Sequence, residues 1–356
     1  MRRTLHGIDL SRLLISTLLV AIACVILMFG EVRVRNECRD VQIKAAVRMR
    51  RCIDSLSTAT RPVHNLDPNK TNLIGVEYSP ITTTIGELIA KRTSTNPDFS
   101  ALIVRYLSDI GVKSGDAVAI GCSGSFPALS IAAICACEIM GLETRVIASV
   151  AASGYGANRP EFTYLDMEKY LFDKGCISSR TIAASFGGAG DVAYDLQDEG
   201  RELLKYTIAR HGVIFINEPD RKRNMALRER LYLQDGKLKV FINIGGGVVN
   251  IGSYDVAREL APGINRGRQF GQSMSAVFLN NGIPVIHMLN IETLARENGL
   301  AIDPVPLPRP GISDVYYDVR VRTGTILISV PFFLLGFAVL LQIIPSCSRI
   351  TRTISS

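Results

Sequence analysis

Uncharged apolar residues fill stretches near both ends of this chain, whereas between them short apolar blocks alternate with amphipathic ones. Leu13 to Gly30 and Thr323 to Ser348 contain no charged side chain and are rich in Leu, Ile, Val and Phe. At about 1.5 Å per residue, either stretch suffices for a helix crossing a hydrocarbon core of about 30 Å. Pro331 and Gly336 fit such a helix, because neighbouring helices can satisfy the backbone groups that a breaker frees. The pattern predicts transmembrane helices at 13–30 and 323–345, with short tails at 1–12 and 346–356.

Inside the spans the period changes. Phe99, Leu102, Ile103, Tyr106, Leu107 and Ile110 recur at helical spacing behind Asn96-Pro97 and stop at Gly111, with start and stop signals in their expected places. Strand-like apolar runs follow at 116–120, 144–150, 181–185, 213–216, 238–244 and 284–288. Helical patterns separate them at 128–140, 163–174, 196–210, 220–233 and 273–279, and a last one follows at 291–298. Apolar strands alternating with helices predict an α/β fold with a mainly parallel, doubly wound sheet. This ligand-binding domain is assigned to 65–303, residues 31–64 read as a helical stalk and linker, and 304–322 as a Pro-rich linker into the second span.

Arg2, Arg3 and Arg12 lie at the start of the first span and Arg349 and Arg352 follow the second. By the positive-inside rule both tails are then cytoplasmic, and the domain is extracytoplasmic at a bacterial inner membrane. The basic run Arg33, Arg35, Arg39, Lys44, Arg48, Arg50 and Arg51 opposes that orientation. Ala21-Ile22-Ala23-Cys24 loosely resembles a lipoprotein cleavage box, yet the apolar run continues to Phe29, past the point where a processed chain turns polar. Forty Lys and Arg against 33 Asp and Glu leave a charge of +7, which suits anionic lipid or a polyanionic ligand. The eight cysteines form no disulfide framework by spacing, and four histidines without CxxC or HExxH give no metal pattern. No metal, cofactor or nucleic-acid partner is expected.

In a doubly wound sheet, ligands bind outside the carboxyl ends of the strands. Three glycine-rich segments lie there: Gly121-Cys122-Ser123-Gly124-Ser125, Gly187-Gly188-Ala189-Gly190-Asp191, and Gly245-Gly246-Gly247 running on to Asn250. The first joins a strand to a helix, an arrangement in which backbone N–H groups and a helix N-terminus point at an anion. Candidate ligand-binding residues are therefore Gly121, Ser123, Gly124, Ser125, Asn158, Gly187, Gly188, Asp191, Gly245, Gly246, Gly247 and Asn250. Tight turns alone explain any single glycine loop equally well. None of the loops has the GxxxxGK[ST], GxGxxG or GxSxG pattern, which counts against a P-loop enzyme, a nicotinamide enzyme and an ordinary serine hydrolase. Ser123 and Cys122 remain weak candidate nucleophiles, His287 is the only histidine at a predicted strand end, and Asp191 and Glu218 are the acidic candidates. Thr163 and Asp166 read as a capping pair at a helix start.

The blocks Leu73-Ile-Gly-Val-Glu-Tyr-Ser, Ile81-Thr-Thr-Thr-Ile-Gly, Lys91-Arg-Thr-Ser-Thr-Asn-Pro-Asp-Phe, Gly121-Cys-Ser-Gly-Ser-Phe-Pro-Ala-Leu, Ser153-Gly-Tyr-Gly-Ala-Asn and Glu161-Phe-Thr-Tyr-Leu-Asp-Met-Glu resemble the family called poly-gamma-glutamate system proteins. The similarity covers residues 65–300 and is most specific over 73–168. It implies a membrane component working with other proteins that make or export a polyanionic surface polymer, and it supplies no catalytic residues. The Ser-Gly-Ser stretch is also similar to the phosphate loops of sugar isomerases. The expected function is a membrane-anchored accessory protein whose domain binds polymer carboxylates or a phosphorylated precursor. The alternative is an enzyme, either an amide hydrolase acting on the polymer or an isomerase-like enzyme on a phosphorylated small molecule. A nucleophile within hydrogen-bond reach of a base favours the enzyme, whereas N–H donors without a base favour binding.

Overall fold

The computed structural model describes residues 4–5, 8–63, 65–234, 236–253 and 260–341. The C-terminal tail, the last residues of the second predicted span and much of the N-terminal tail lie outside them. The chain divides into two compact units, residues 1–36 with 317–356, and residues 37–316.

In the first unit, the apolar helices Leu10–Phe29 and Thr323–Leu340 pack on each other, with mean hydropathies of 2.5 and 2.1. Both are long and apolar enough to cross a membrane, which is compatible with a two-span membrane protein. They are antiparallel: a Cβ at Gly30 would meet Thr325, and one at Gly336 would sit 3.2 Å from the Ser16 carbonyl oxygen. The buried positions are small, namely Ser16 and Ala23 on one helix with Gly30 just beyond it, and Ser329 and Gly336 on the other. That heptad recurrence lets two backbones approach where lipid supplies no hydrophobic drive. Leu14, Leu18, Leu327, Leu334 and Phe337 face outward. Strands Glu31–Arg35 and Tyr317–Val321 continue the helices as an antiparallel ribbon, with Arg35 opposite Tyr317.

The second unit holds strands β1 (Ala117–Ser123), β2 (Glu143–Ser149), β3 (Thr181–Ser185), β4 (Ile214–Ile216), β5 (Leu238–Ile244), β6 (Gly263–Asn265) and β7 (Val285–Met288). Among the described residues its helices are α1 (Arg39–Leu56), α2 (Leu88–Ser94), α3 (Asp98–Ile110), α4 (Pro127–Ile139), α5 (Tyr164–Asp173), α6 (Asp198–His211), α7 (Arg221–Leu233), α8 (Val248–Ile251), α9 (Met274–Asn280) and α10 (Ile291–Glu297). The sheet order is β4-β3-β2-β1-β5-β7-β6. All neighbours are parallel except β6, which is antiparallel to β7. This is the α/β, mainly parallel architecture that the alternating pattern predicts. Every residue of β1 is buried, as a central parallel strand covered on both faces must be.

Three expectations need correction. The helix assigned to a stalk, α1, packs on α3 and α4 and buries Ala45, Ala46, Met49, Cys52, Ile53 and Leu56. Cys52 Sγ lies 3.7 Å from Cys135 Sγ of α4. Strong charge on the outer face of α1 obscures this apolar stripe in the sequence. The segment from Pro304 to Tyr316 is a strap rather than a free linker: Leu307, Val315 and Tyr316 are buried, and Ser313 and Tyr316 donate hydrogen bonds to Asp98. Strand β1 also continues through Cys122 and Ser123, so part of the expected loop belongs to the sheet. The Thr163–Asp166 capping box is formed as read.

Replacing Gly336 with Leu should force the two apolar helices apart at the Ser16 carbonyl. Purified full-length Gly336→Leu is expected to unfold at a lower temperature than the parent in the same detergent, and Leu334→Ala on the outward face is expected to change little.

Candidate functional site

The chain runs from β1 to β2, β3 and β4 on one side of the sheet and resumes at β5 on the other, so the strand order reverses between β1 and β5. A crevice forms outside the carboxyl ends of such strands. Here it is a cavity of about 560 Å³, reached by Ser123 and Ser125 at and after the end of β1, Ser149 and Ser153 at and after β2, Gly187, Gly188 and Asp191 after β3, Gly246 and Gly247 after β5, and Asn290 after β7. Thr83 to Glu87 and Lys91 of α2 close it from above the strand ends.

The cavity thus gathers Ser123, Ser125, Gly187, Gly188, Asp191, Gly246 and Gly247 from the residues singled out in the sequence. Gly121, Cys122, Gly124, Asn158, Glu218, Gly245, Asn250 and His287 are not among its lining. Burial pushes the Cys122 thiol up to about 12, and its Sγ meets the Tyr164 hydroxyl at 3.7 Å. Burial pulls His287 down to about 4, and its Nδ1 sits 2.9 Å from Asn243 Nδ2. Neither suits the expected nucleophile or base: the thiol stays protonated, and the imidazole is engaged within the sheet. Glu218 accepts the Asp220 N–H at 2.9 Å in the turn before α7. Asn158 accepts the Val76 N–H at 3.0 Å and donates to the Val76 carbonyl at 2.8 Å. A Cβ at Gly121 would lie 2.4 Å from Asn250 Nδ2, and one at Gly124 would lie 2.4 Å from the Val150 carbonyl oxygen, so both glycines serve packing. Gly245 has φ +78, and a Cβ there would lie 3.0 Å from Ser123 Cβ.

The expected anion nest around Gly124 is closed internally. The Gly124 N–H donates to Ser149 O at 2.8 Å, the Ser125 N–H to Ser123 Oγ at 3.2 Å, and the Phe126 N–H to Ser123 O at 3.1 Å. Carboxylates also outnumber cations in the lining: Glu87, Asp191, Asp195 and Glu292 stand against Lys91 alone. Asp191 is neutralised from below, since its Oδ2 takes Arg228 Nη2 at 2.7 Å and Asn224 Nδ2 at 3.0 Å while Oδ1 takes the Ser185 hydroxyl at 2.8 Å.

Lys91 is the residue that the strand-end argument missed, because it comes from α2 rather than from a loop after a strand. It is 3% exposed. Its Nζ contacts Ser153 Oγ at 2.7 Å, donates to the Ser125 carbonyl oxygen, and lies 3.8 Å from the centroid of the Phe126 ring. Burial pulls it down to about 7. The Ser153 N–H donates to Ser125 Oγ at 2.9 Å, which fixes the backbone that carries the Ser153 hydroxyl. A largely buried amine beside a serine hydroxyl, on the wall of a cavity, can exchange a proton near neutral pH.

No family model, curated protein or solved structure matches this chain.

The folded chain releases the Lys91 proton at about 7, whereas the ordinary value is 10.5. Between those values the unfolded chain holds the extra proton, so this residue makes stability rise with pH across the window. The difference in unfolding free energy between the parent and Lys91→Met is expected to move in favour of the parent from pH 7 to 10. A difference that stays flat would mean that the buried amine keeps its charge.

Proposed function

We propose that the chain is a membrane-anchored accessory component of a poly-gamma-glutamate system whose α/β domain binds a small unit or precursor of the polymer rather than the polymer itself. The link to that system rests on the resemblance of residues 65–300. The observation that carries the size of the ligand is the cavity at the switch point, about 560 Å³ and lined by hydroxyls and one lysine. Such a volume holds a ligand of a few hundred daltons, whereas a long chain needs an open groove. Glu87 is exposed and Glu292 half-buried at the lining, so a run of polymer carboxylates meets like charge. A short γ-glutamyl unit with a free amino group brings a cation to those two residues and a carbonyl to the serines.

The proposed location is a bacterial inner membrane. For sidedness, the ribbon that continues both apolar helices carries Arg33, Arg35 and Arg320, with Arg322 at the following helix start. Arg33 and Arg35 open the basic run through Arg51, Arg320 and Arg322 add to it, and together these residues outweigh the arginines of the tails. Cys52, Cys122, Cys135, Cys137 and Cys176 are free thiols, which suits a reducing compartment. The proposal therefore reverses the extracytoplasmic expectation and places the domain on the cytoplasmic face. In a background lacking the native cysteines, Val305→Cys is expected to resist a membrane-impermeant thiol reagent in cells with a permeabilised outer barrier and to react after inner-membrane lysis. Labelling before lysis would return the domain to the outside.

Binding is tested by calorimetry on the full chain in detergent, with γ-glutamylglutamate and with the long polymer. The dipeptide is expected to bind and the polymer to bind no better per molecule. Ser123→Ala is expected to weaken the dipeptide by about 0.5–1.5 kcal/mol, roughly two- to tenfold, through one lost hydrogen bond. Gly188→Val should do more harm, because Gly188 has φ +65 and its Cβ would meet Asp195 Oδ1 at 2.5 Å. Tight binding of long polymer alone, unaffected by either change, would overturn the proposal.

A further inference from the structure

We propose that Ser153 and Lys91 form a serine–lysine pair that cleaves a small amide or ester held in the cavity, with Ser153 as nucleophile and Lys91 as general base. This rests on the reading of the cavity as a ligand site and names the reaction done there. Three observations meet at one place. Ser153 Oγ is 2.7 Å from Lys91 Nζ, inside the range for direct proton transfer. Both residues line the cavity, so a carbonyl carbon can reach the hydroxyl without the domain opening. Lys91 also has the environment that a lysine base requires. Its other contacts are the Ser125 carbonyl oxygen and the face of the Phe126 ring, and the cavity carboxylate beneath the serines, Asp191, is held by Arg228 at 2.7 Å.

The step balances with water as the second substrate. The Lys91 lone pair takes the Ser153 hydroxyl proton as Oγ bonds to the acyl carbon. The carbon–nitrogen or carbon–oxygen bond then breaks, and the leaving amine or alcohol takes that proton from the Lys91 ammonium. Water next attacks the acyl-serine, gives its proton to Lys91, and the proton passes to Oγ as the serine departs. The net change is hydrolysis of one amide or ester to an acid and an amine or alcohol, with the pair restored.

Burial holds the amine at about 7, so a large neutral fraction is present at neutral pH. The other titratable groups lining the cavity are Glu87 just before the same helix, Asp191 and Asp195 after β3, and Glu292 on α10, all carboxylic acids rather than amines or imidazoles. The Phe126 ring and the Ser125 carbonyl oxygen face the ammonium and favour its charged form, while burial opposes it and prevails.

The test treats the full chain in detergent with a fluorophosphonate and locates the adduct by peptide mass spectrometry. A phosphonyl adduct on Ser153 is expected, forming faster as pH rises through about 7 and absent in Ser153→Ala. Lys91→Met is expected to slow it by roughly 10²- to 10⁴-fold, the usual share of a general base. Ser153→Ala should still bind γ-glutamylglutamate and keep its melting temperature, which separates a lost nucleophile from a lost fold. Adduct on Ser123 or Ser125, or a Ser153 adduct indifferent to both pH and Lys91, overturns the pair. Dipeptide binding with neither adduct nor hydrolysis overturns the inference and leaves the binding site standing; failure of binding as well removes both.

Discussion

The close approach of two backbone segments, with no side chain between them, is the constraint on which the site depends. Residues 73–87 lie on the loop 151–158 so tightly that a Cβ at Gly75 would fall 2.0 Å from the Gly156 carbonyl oxygen, and one at Gly86 would fall 2.0 Å from that of Gly154. Hydrogen bonds lace the layers: Gly75 N–H to Tyr155 O at 3.1 Å, Tyr155 N–H to Val76 O at 2.7 Å, and Gly154 N–H to Thr84 O at 2.8 Å. Asn158 extends the lacing with its side chain on both polar groups of Val76. The layer then leads directly into α2, which seats Lys91 over Ser153. A side chain at Gly75 or Gly86 lifts the layer and the lysine with it, so these glycines govern the chemistry without touching a ligand.

The floor of the cavity is rigid for a different reason. Arg228 is 1% exposed, and its charge is acceptable there because Asp191, Ser185 and Asn224 satisfy the guanidinium. A buried pair of this kind adds little net stability over an apolar replacement, since desolvation cancels much of the attraction, but removing one partner is costly. Its consequence is electrostatic. With Asp191 engaged by Arg228, no carboxylate pairs with Lys91 among the described residues, and burial outweighs the Phe126 ring and the Ser125 carbonyl oxygen in setting its affinity for a proton. An amine held near neutrality is thus a joint product of the glycine layer above and the arginine below, at a cost to stability typical of functional sites.

The sheet was legible because its longer strands carry apolar runs and its helices carry ordinary punctuation, as at Gly111, which closes α3 with φ +84. The candidate cavity was legible only where it follows the strand-end rule, which singled out Ser123, Ser125, Gly187, Gly188, Asp191, Gly246 and Gly247 of its lining. Lys91 escaped because one lysine in a short helix, Leu88–Ser94, carries no period, and its burial follows from tertiary contact with Phe126 and the 153 loop. Asn158 was assigned to ligand for the converse reason, since a polar residue after a strand looks the same from sequence whether it faces a cavity or clamps a neighbouring segment. Helix α1 was read as a stalk because seven basic residues lie between Arg33 and Arg51, and exposed charge hid an apolar face that meets α3 and α4. Strand β6 is three residues long and left no pattern to read.

The two apolar helices place a condition on how the chain enters and leaves the domain. Their antiparallel packing puts Gly30 beside Thr325, and the ribbon that follows keeps the strands paired as far as Arg35 opposite Tyr317. The chain enters the domain at Glu37 and leaves it at Tyr316, so both crossings follow directly on the paired residues Arg35 and Tyr317. Two tethers that close together make the whole domain an insertion within a hairpin of two apolar helices. Because small residues at heptad spacing create the helix contact, the hairpin can form with no help from the domain. Closing the 37–316 segment then costs conformational entropy that grows only as the logarithm of its length. The strap from Pro304 to Tyr316 reduces that cost further by fixing the exit on α3 through Asp98, which gives the buried carboxyl a role in chain closure distinct from any role at the cavity.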